Sequence, residues 1–588
     1  MDSSTRGQSD GGGSSVRVTF ADGAARAALE RHLDLLHDPA RHEGPDVVRI
    51  KQNASRTVWR CRLGGCAYYL KHFHPRSCLQ RLGWRLRGDD AGRELRFSQR
   101  LIAQGVPATP VLAIGQGQGR GWMISRAIEP AIPGDVWHNE RAESGDPCHI
   151  PTIRAAVLRL AELVGRMHKA GIIHRDLHTG NILVQGEGRQ IRLTLMDLHR
   201  AAQRRRLSRQ ACARNLAQLL HDRRHVTTRT QRLAFLKRYL EVTGAPGTLR
   251  GWVVITDHFA QAYSRALYGA RDRRIFGENR YFTRIRGPHG WRGHAVLASK
   301  RKLRPMPASG MIFQAQAWRA VLADPDSLFQ SPDAVVIKDS AGSLVIRRRL
   351  TIGEHTVEVF IKRHRRKQPY KAIVDALRPS RAIKAFHHGH ALLTRRIATA
   401  LPLAVMERRT GAFLHDSILI TEAVAPAEQL NRFLDHWLGS SAVARSGIDA
   451  ARQQQLARDM LHRLGRLLLR LHSEGFAHRD LKSGNLLVHW TQESPPEIVL
   501  VDLDGVTYQR QISTRQMFQG LMRLNVSLLE CPSVNHAGRL RMLLGYLRHP
   551  GSGRIHFKPY WRELERWSAK KLRRQIASRR KRQKMQRR

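Results

Sequence analysis

Apolar residues along the chain follow two periodicities, and the same succession of them occurs twice. Leu160, Leu163, Val164 and Met167 recur at intervals of three and four, on one face of a predicted helix, and Leu464, Leu467, Leu468 and Leu471 do the same. Each run stops near a glycine, Gly171 or Gly475, the residue that best tolerates a left-handed helix end. A short apolar strand follows, Ile182–Val184 or Leu486–Val488. A polar turn then leads to a second strand, Leu193–Met196 or Ile498–Val501, that runs into an aspartate. Upstream of each helix, CAYYLKHF (66–73) and HTVEVFIKRH (355–364) alternate with the period of two expected of half-buried strands.

The recurrence is a sequence repeat. Residues 171–184 read GIIHRDLHTGNILV and residues 475–488 read GFAHRDLKSGNLLV, with nine of fourteen positions identical at an offset of 304. The likeness extends without a gap to LAELVGRMHKAG (160–171) over LGRLLLRLHSEG (464–475), and downstream to LTLMDLHRA over VLVDLDGV. A period this long is a whole domain copied twice, not a solenoid. The expected organisation is a disordered or partly ordered N-terminal segment (1–45, with a Ser/Gly-rich start), a first domain (46–245) and an exposed connector (246–330). A second domain (331–567) and a basic tail (568–588) follow. RRIFGENRYFTRI (273–285), inside the connector, reads as strands that join the second domain.

Composition places 588 residues among soluble globular chains, with 41% hydrophobic and 25% charged residues. No apolar run approaches the roughly 18 residues of a membrane-spanning helix, and the start lacks the apolar core of a secretory signal, so a cytoplasmic location is expected. Six cysteines are too sparse for a disulfide scaffold and read as thiols. The net charge of +53 calls for an anionic partner, although 84 arginines against 17 lysines is also what a skewed base composition yields.

Phosphoryl transfer needs metals held between phosphate oxygens, a lysine on the phosphates and a carboxylate orienting the attacking hydroxyl. The motif H-R-D-L-x-x-x-N carries the carboxylate and one metal ligand on a single loop: Asp176 with Asn181, and Asp480 with Asn485. The aspartate ending the next strand, Asp197 or Asp502, is the second metal ligand. Lys71 and Lys362 are the candidate phosphate lysines, and Glu94 is either the partner of Lys71 or an ordinary helix charge. No glutamate lies between Lys362 and Glu407, so the second lysine has no such partner or is held another way. Neither copy has a G-x-G-x-x-G loop; Gln52–Arg56 and Asp339–Ser343 are the candidate covering turns. His174 and His478 read as structural.

These residues resemble the protein-kinase-like superfamily and, within it, the lipopolysaccharide core (Kdo/heptose) kinase family. HRDLHTGNILV, GRELRFSQRLIAQGVPATPVLAIG (92–115) and RLAFLKRYL (232–240) carry the likeness in the first copy, PLAVME (402–407) and RLRMLLGYL (539–547) in the second. The resemblance implies an α+β fold of two tandem bilobal domains, each with a β-rich N-lobe and a helical C-lobe, using ATP and Mg²⁺. Protein kinases carry an A-P-E motif ending a peptide-docking segment. Here no proline follows Asp197 before Pro246, or Asp502 before Pro532, which favours a sugar or anionic glycolipid hydroxyl as acceptor. A Ser/Thr protein kinase, from HRDLK (478–482), and a scaffold with one or both domains pseudokinase stay open as alternatives. The tail SRRKRQKMQRR reads as solvated or as a peripheral contact with an anionic membrane. No zinc-finger, RRM or homeodomain signature occurs, and nucleic acid is not an expected partner.

Overall fold

A computed structural model describes residues 16–586 apart from 54, 76, 78–82, 85–88, 118–119, 145, 147, 225, 300–302, 304, 366–377, 439–448, 492–495 and 548–555. The expected disorder of residues 1–15 and part of the turn Gln52–Arg56 fall outside the described residues. The chain divides into two compact units, Met1–Arg265 and Ala266–Arg588.

In the first unit an antiparallel sheet runs in the order Arg17–Phe20, Val111–Gly117, Arg120–Arg126, Cys66–Phe73, Arg56–Leu63, Val47–Asn53. The lysine strand Cys66–Phe73 is central, with Lys71 paired to Val58 on one side and Met123 on the other. Alternation gives its two faces different partners. Tyr68 and Leu70 join Trp59, Cys61 and Trp122 under Val18, Leu29 and Leu36 of the upstream segment. Phe73, with Met123, turns instead toward Ala91 and Leu95 of the helix Asp90–Ala103, on the face that carries Lys71. That helix begins at Asp89, whose side chain caps it by accepting from Gly92 N at 2.8 Å.

The second unit repeats the plan. Its sheet runs Phe282–Arg286, Trp291–Val296, Pro402–Thr410, Phe413–Glu422, His355–His364, Ser343–Ile352, Val335–Ser340. Val359 and Ile361 face a cover built from Met306, Ala308, Phe313 and Trp318, and Lys362 and His364 take the opposite parity. Much of 246–330, expected as an exposed connector, is therefore structured. Leu249–Arg274 is a helix that buries Trp252 and Ala260, Phe282–Arg286 and Trp291–Val296 extend the second sheet, and Trp318 is fully buried. In each unit the stretch preceding the repeat supplies a strand at the same edge of the sheet, beside Val111–Gly117 or Pro402–Thr410.

The helical lobes also match. His149–Lys169 packs against Arg229–Thr243, and Ala450–Ser473 against His536–Leu547. Buried His–Tyr bonds cross those interfaces: His168 Nδ1 to the Tyr239 hydroxyl at 2.8 Å, and His472 Nδ1 to the Tyr546 hydroxyl at 2.9 Å. The basic tail is the end of a helix, Lys558–Gln586, whose first half packs Trp561, Leu564 and Trp567 on the second lobe's core. The described cysteines Cys61, Cys66, Cys148, Cys212 and Cys531 are free thiols.

Candidate active sites

In the first unit the sheet, the helix and the strand end meet at one ammonium. Lys71 Nζ lies 3.1 Å from Glu94 Oε1 and 2.5 Å from Asp197 Oδ1. Glu94 is 3% exposed, which makes it the buried partner of Lys71 and not a solvated helix charge. Burial works against each of these charges, yet their mutual attraction outweighs it. The Lys71 pKa is raised, while Glu94 and Asp197 are held below the usual carboxylate range. Arg56, the first residue of its strand, grips both oxygens of Asp197 at 3.1 and 2.9 Å. Glu94, Asp197 and His199 each bring a ligand atom within reach of a shared cation, and in this structure the Lys71 ammonium lies against Glu94 and Asp197.

The catalytic loop is tied to the same strand end. His174 is fully buried, with Nε2 3.0 Å from the Met196 carbonyl and Nδ1 accepting from Asp176 N at 3.2 Å. Burial lowers its pKa, so the ring is neutral with the proton on Nε2, and its role is to hold the loop. Asn181 donates Nδ2 to the Asp176 carbonyl at 2.9 Å and accepts Met196 N on its own carbonyl at 3.0 Å. Asp176, Asn181 and Asp197 are thereby brought together through the backbone of one residue, Met196. The Asp197 backbone is left-handed (φ 61°), a conformation costing a non-glycine residue about 1–3 kcal/mol and typical of functional sites.

The second unit reproduces this frame. Asn485 donates to the Asp480 carbonyl at 2.8 Å and accepts Val501 N at 3.0 Å, His478 Nδ1 accepts Asp480 N at 3.1 Å, and Asp502 is left-handed (φ 57°). Lys362 Nζ lies 2.7 Å from Asp502 Oδ1 and also 2.7 Å from Asp504 Oδ2. His364 Nε2 meets Asp504 Oδ2 at 2.9 Å. Burial opposes the Lys362 charge but Asp504 and Asp502 prevail and raise its pKa; burial likewise opposes Asp504, which His364 and Lys362 hold well below the usual range.

The two lysines are thus steadied by acids from different places. An offset of 291 relates Lys71 to Lys362 and the helix caps Asp89 to Ser380, which sets Ala385, fully buried, where Glu94 stands. Counting from the strand-end aspartates, Asp504 stands where the first copy has His199, and His364 where it has Phe73. The acid has moved from the helix to the position of His199, and a histidine has moved onto the lysine strand, around an unchanged lysine. The sequence carried the signal in the contrast of DLHR with DLDG, since an extra acid appears in the copy that lacks the helix glutamate. Arg56 had no comparable signal.

A model of the lipopolysaccharide kinase (Kdo/WaaP) family matches residues 50–239 and 339–546, together more than half of the chain. The chain belongs to that family. Its two matched regions each contain a lysine paired to a left-handed aspartate, Lys71 with Asp197 or Lys362 with Asp502, and one H-R-D loop, as tandem kinase-like domains require. Among curated members of the Kdo/WaaP family, lipopolysaccharide core heptose(I) kinase WaaP of Pseudomonas aeruginosa is 27% identical over 159 residues, which is 25% of this chain and 59% of that protein. The EKC/KEOPS complex subunit BUD32 of Coccidioides immitis is 30% identical over 133 residues, 18% of this chain and 46% of that protein. The chain thus spans about half the length of the curated relatives it matches. A solved structure of WaaP in complex with acyl carrier protein aligns at 23% identity and a TM-score of 0.33, covering 42% of this chain and 98% of that one.

Both copies offer a donor set suited to Mg²⁺, which takes hard oxygen ligands. With Nδ2 of Asn181 and of Asn485 committed to the catalytic loop, the amide oxygen is the atom each presents to a cation, beside the carboxylate of Asp197 or Asp502.

Proposed function

We propose that this chain is an ATP-dependent kinase that phosphorylates a sugar hydroxyl of lipopolysaccharide core or of a related anionic glycolipid, with one active site in each unit. The observation that carries the reading is the twice-built assembly of a strand lysine, a left-handed aspartate and a catalytic loop whose asparagine turns its oxygen outward. Lys71 and Lys362 would bind the α- and β-phosphates. Asp176 and Asp480 would orient the acceptor hydroxyl and take its proton as the oxygen attacks the γ-phosphorus and the bond to ADP breaks. Asn181 with Asp197, and Asn485 with Asp502, would hold Mg²⁺, which supplies charge neutralisation on the phosphates. Glu94 and Asp504 position the lysines without touching the nucleotide.

The short stretch between each strand-end aspartate and the next helix, which begins at Arg209 or Thr514, supports a glycan acceptor, since it leaves little platform for a peptide. Within the described residues no helix is long and apolar enough to cross a membrane. We place the enzyme in the cytoplasm, on the inner membrane face. The helix Lys558–Gln586 has no acidic residue after Glu565 and ten basic ones, each adding about 1 kcal/mol near an anionic leaflet.

Pure protein incubated with labelled ATP and either core oligosaccharide or basic peptides tests the reading: label enters the oligosaccharide, and transfer to peptide alone would overturn it in favour of the protein kinase that Lys482, 3.3 Å from Asp480, also fits. D176A and D480A, made singly, each abolish turnover at their own site. An unchanged rate in either marks that copy as a pseudokinase.

A further inference from the structure

The second unit contains a cleft of about 990 Å³ that opens on Asp480, Asp502 and Asp504. Its carboxylates are already spoken for. Asp502 and Asp504 are bound to Lys362, Asp480 to Lys482 and Asp416 to Arg363, and none of those three cations lines the cleft. Five other cations do, and among the described residues only Arg365 is paired with a carboxylate, that of Asp339. Arg378, Arg381, Lys384 and Arg479 are exposed, and among the described residues no carboxylate stands within ion-pair distance of any of them. Arg479 belongs to the catalytic loop itself, one residue before Asp480. Arg381 and Lys384 lie three apart on the first turns of the helix Arg381–Thr394, on one face. Four unneutralised cations beside a phosphoryl-transfer aspartate leave a surplus that a dianionic group would fill.

The first unit keeps a basic residue at three of these positions, Arg87, Arg93 and Arg175, and differs in sign at one. The 291 offset sets Asp90 where Arg381 stands and Arg93 where Lys384 stands, and Arg93 is occupied with the Ala201 carbonyl at 3.1 Å. The first turn of that helix is acidic, with Asp89 as its cap, against Ser380 and Arg381 in the second. The change from Asp90 to Arg381 replaces an acid with a base in the lining of the second unit's cleft.

We propose that the second unit holds an oxyanion subsite, formed by Arg378, Arg381, Lys384 and Arg479, for a phosphate or carboxylate already present on its sugar acceptor. The inference rests on the kinase reading of the same cleft and adds the residues that would hold the acceptor's anionic group. Its acceptor must come from a reaction that installs such a group, another phosphoryl transfer among them.

The test is saturation-transfer NMR on the full chain, with glucose 6-phosphate, glucuronate, glucose and inorganic phosphate as probes and Mg–AMP-PNP titrated separately. One or both sugar anions bind and glucose does not; the arm that binds tells phosphate from carboxylate. R381A/K384A, at two exposed positions, weakens anion binding by about tenfold or more. R573A/R574A, which removes equal charge from the C-terminal helix, leaves it unchanged, and AMP-PNP binds alike to all three proteins. Equal anion binding by wild type and R381A/K384A, displacement of the anion by AMP-PNP, or no detectable binding of either sugar anion overturns the subsite. Loss of AMP-PNP binding in wild type with the sugar anion still held would instead remove the kinase reading and leave the subsite standing.

Discussion

Lys362 and Asp504 stand 2.7 Å apart in the second unit, and the helix position that would hold a glutamate there is the buried Ala385. In the first unit the corresponding bond runs from Lys71 to Glu94 on the helix, at 3.1 Å. Both lysines also reach the strand-end aspartate. The requirement met twice is a second carboxylate that fixes the ammonium, not a glutamate at one helix position.

The effect of removing that carboxylate is therefore specific to the copy. In a D176A background, where only the second site turns over, D504N lowers the single-turnover rate by about a hundredfold, the usual consequence of a misplaced phosphate ligand. D504A/A385E restores part of that loss, because Glu94 shows that the helix can deliver a carboxylate to the lysine. E94A lowers the rate in a D480A background and leaves it unchanged in a D176A background. An unaltered rate in D504N would exclude Asp504 as the anchor of Lys362.

The first site also sets a pH window for stability. Glu94 and Asp197 have depressed pKa values when folded, so their contribution is present above the unfolded values near pH 4 and is lost as pH falls through the lower folded values. Lys71 is raised, so its contribution is full below about pH 10 and is lost as pH rises through its folded value. The network's share of the first unit's stability, read as the difference in urea midpoint between wild type and E94Q, is then flat from about pH 5 to 10 and falls on either side. E94Q has a lower plateau and a shallower acid limb; an acid limb identical to wild type would count against the network.

Glu422 behaves in the opposite sense. Burial pushes its carboxyl up to about 7, and only Oε1 has a partner, Ala308 N at 2.7 Å. A raised folded pKa gives stability that is complete below the unfolded value near 4 and is lost as pH rises through about 7. E422Q, which keeps the acceptor but cannot ionise, removes that decline from the second unit, as read by urea denaturation between pH 4 and 8.

The buried histidine–tyrosine bonds are unequal. His168 also meets Asn215 Oδ1 at 3.0 Å through Nε2, whereas Gly520 sits near His472 Nε2, which has no hydrogen-bond partner. Y239F leaves one ring nitrogen unpaired and costs about 1–3 kcal/mol. Y546F leaves both nitrogens of His472 unpaired, so the second unit loses more stability than the first, measurable in the two unfolding midpoints.

Close helix contact makes the last prediction. A Cβ on Gly465 would lie 2.0 Å from the Met542 carbonyl oxygen, where the first copy has Ala161. G465A must separate Ala450–Ser473 from His536–Leu547 and destabilises the second unit by about 1–3 kcal/mol or more. A reciprocal A161G in the first unit has a smaller effect, near the helix propensity difference of about 1 kcal/mol.

Much of this was legible in the sequence because the chemistry sits in short, repeated strings. Asp176, Asn181 and Asp197 lie on one loop and the strand after it, and period two put Lys71 on a strand with a defined face. What was not legible depends on register and on packing across distance. Arg56 reaches Asp197 from 141 residues away, and nothing local marks it. Asp504 was visible only as a spare acid, since its partnership with Lys362 follows from how the turn after Asp502 packs against the lysine strand. The helix Leu249–Arg274 was hidden among prolines and charges that read as linker, although Trp252 and Ala260 are buried along it. The covers over both sheets arise because Leu70 and Ile361 need apolar neighbours on the side away from the cleft.

The move of the acid from the helix to the turn after Asp502 has a mechanical result. Asp504 follows Asp502 by two residues on the same backbone stretch, so tilting the helix Arg381–Thr394 outward cannot unlatch Lys362. Tilting Asp90–Ala103 carries Glu94 away and slackens Lys71. The two lysines are therefore anchored differently: one through a helix that can move as a body, the other through the turn that carries Asp502 itself.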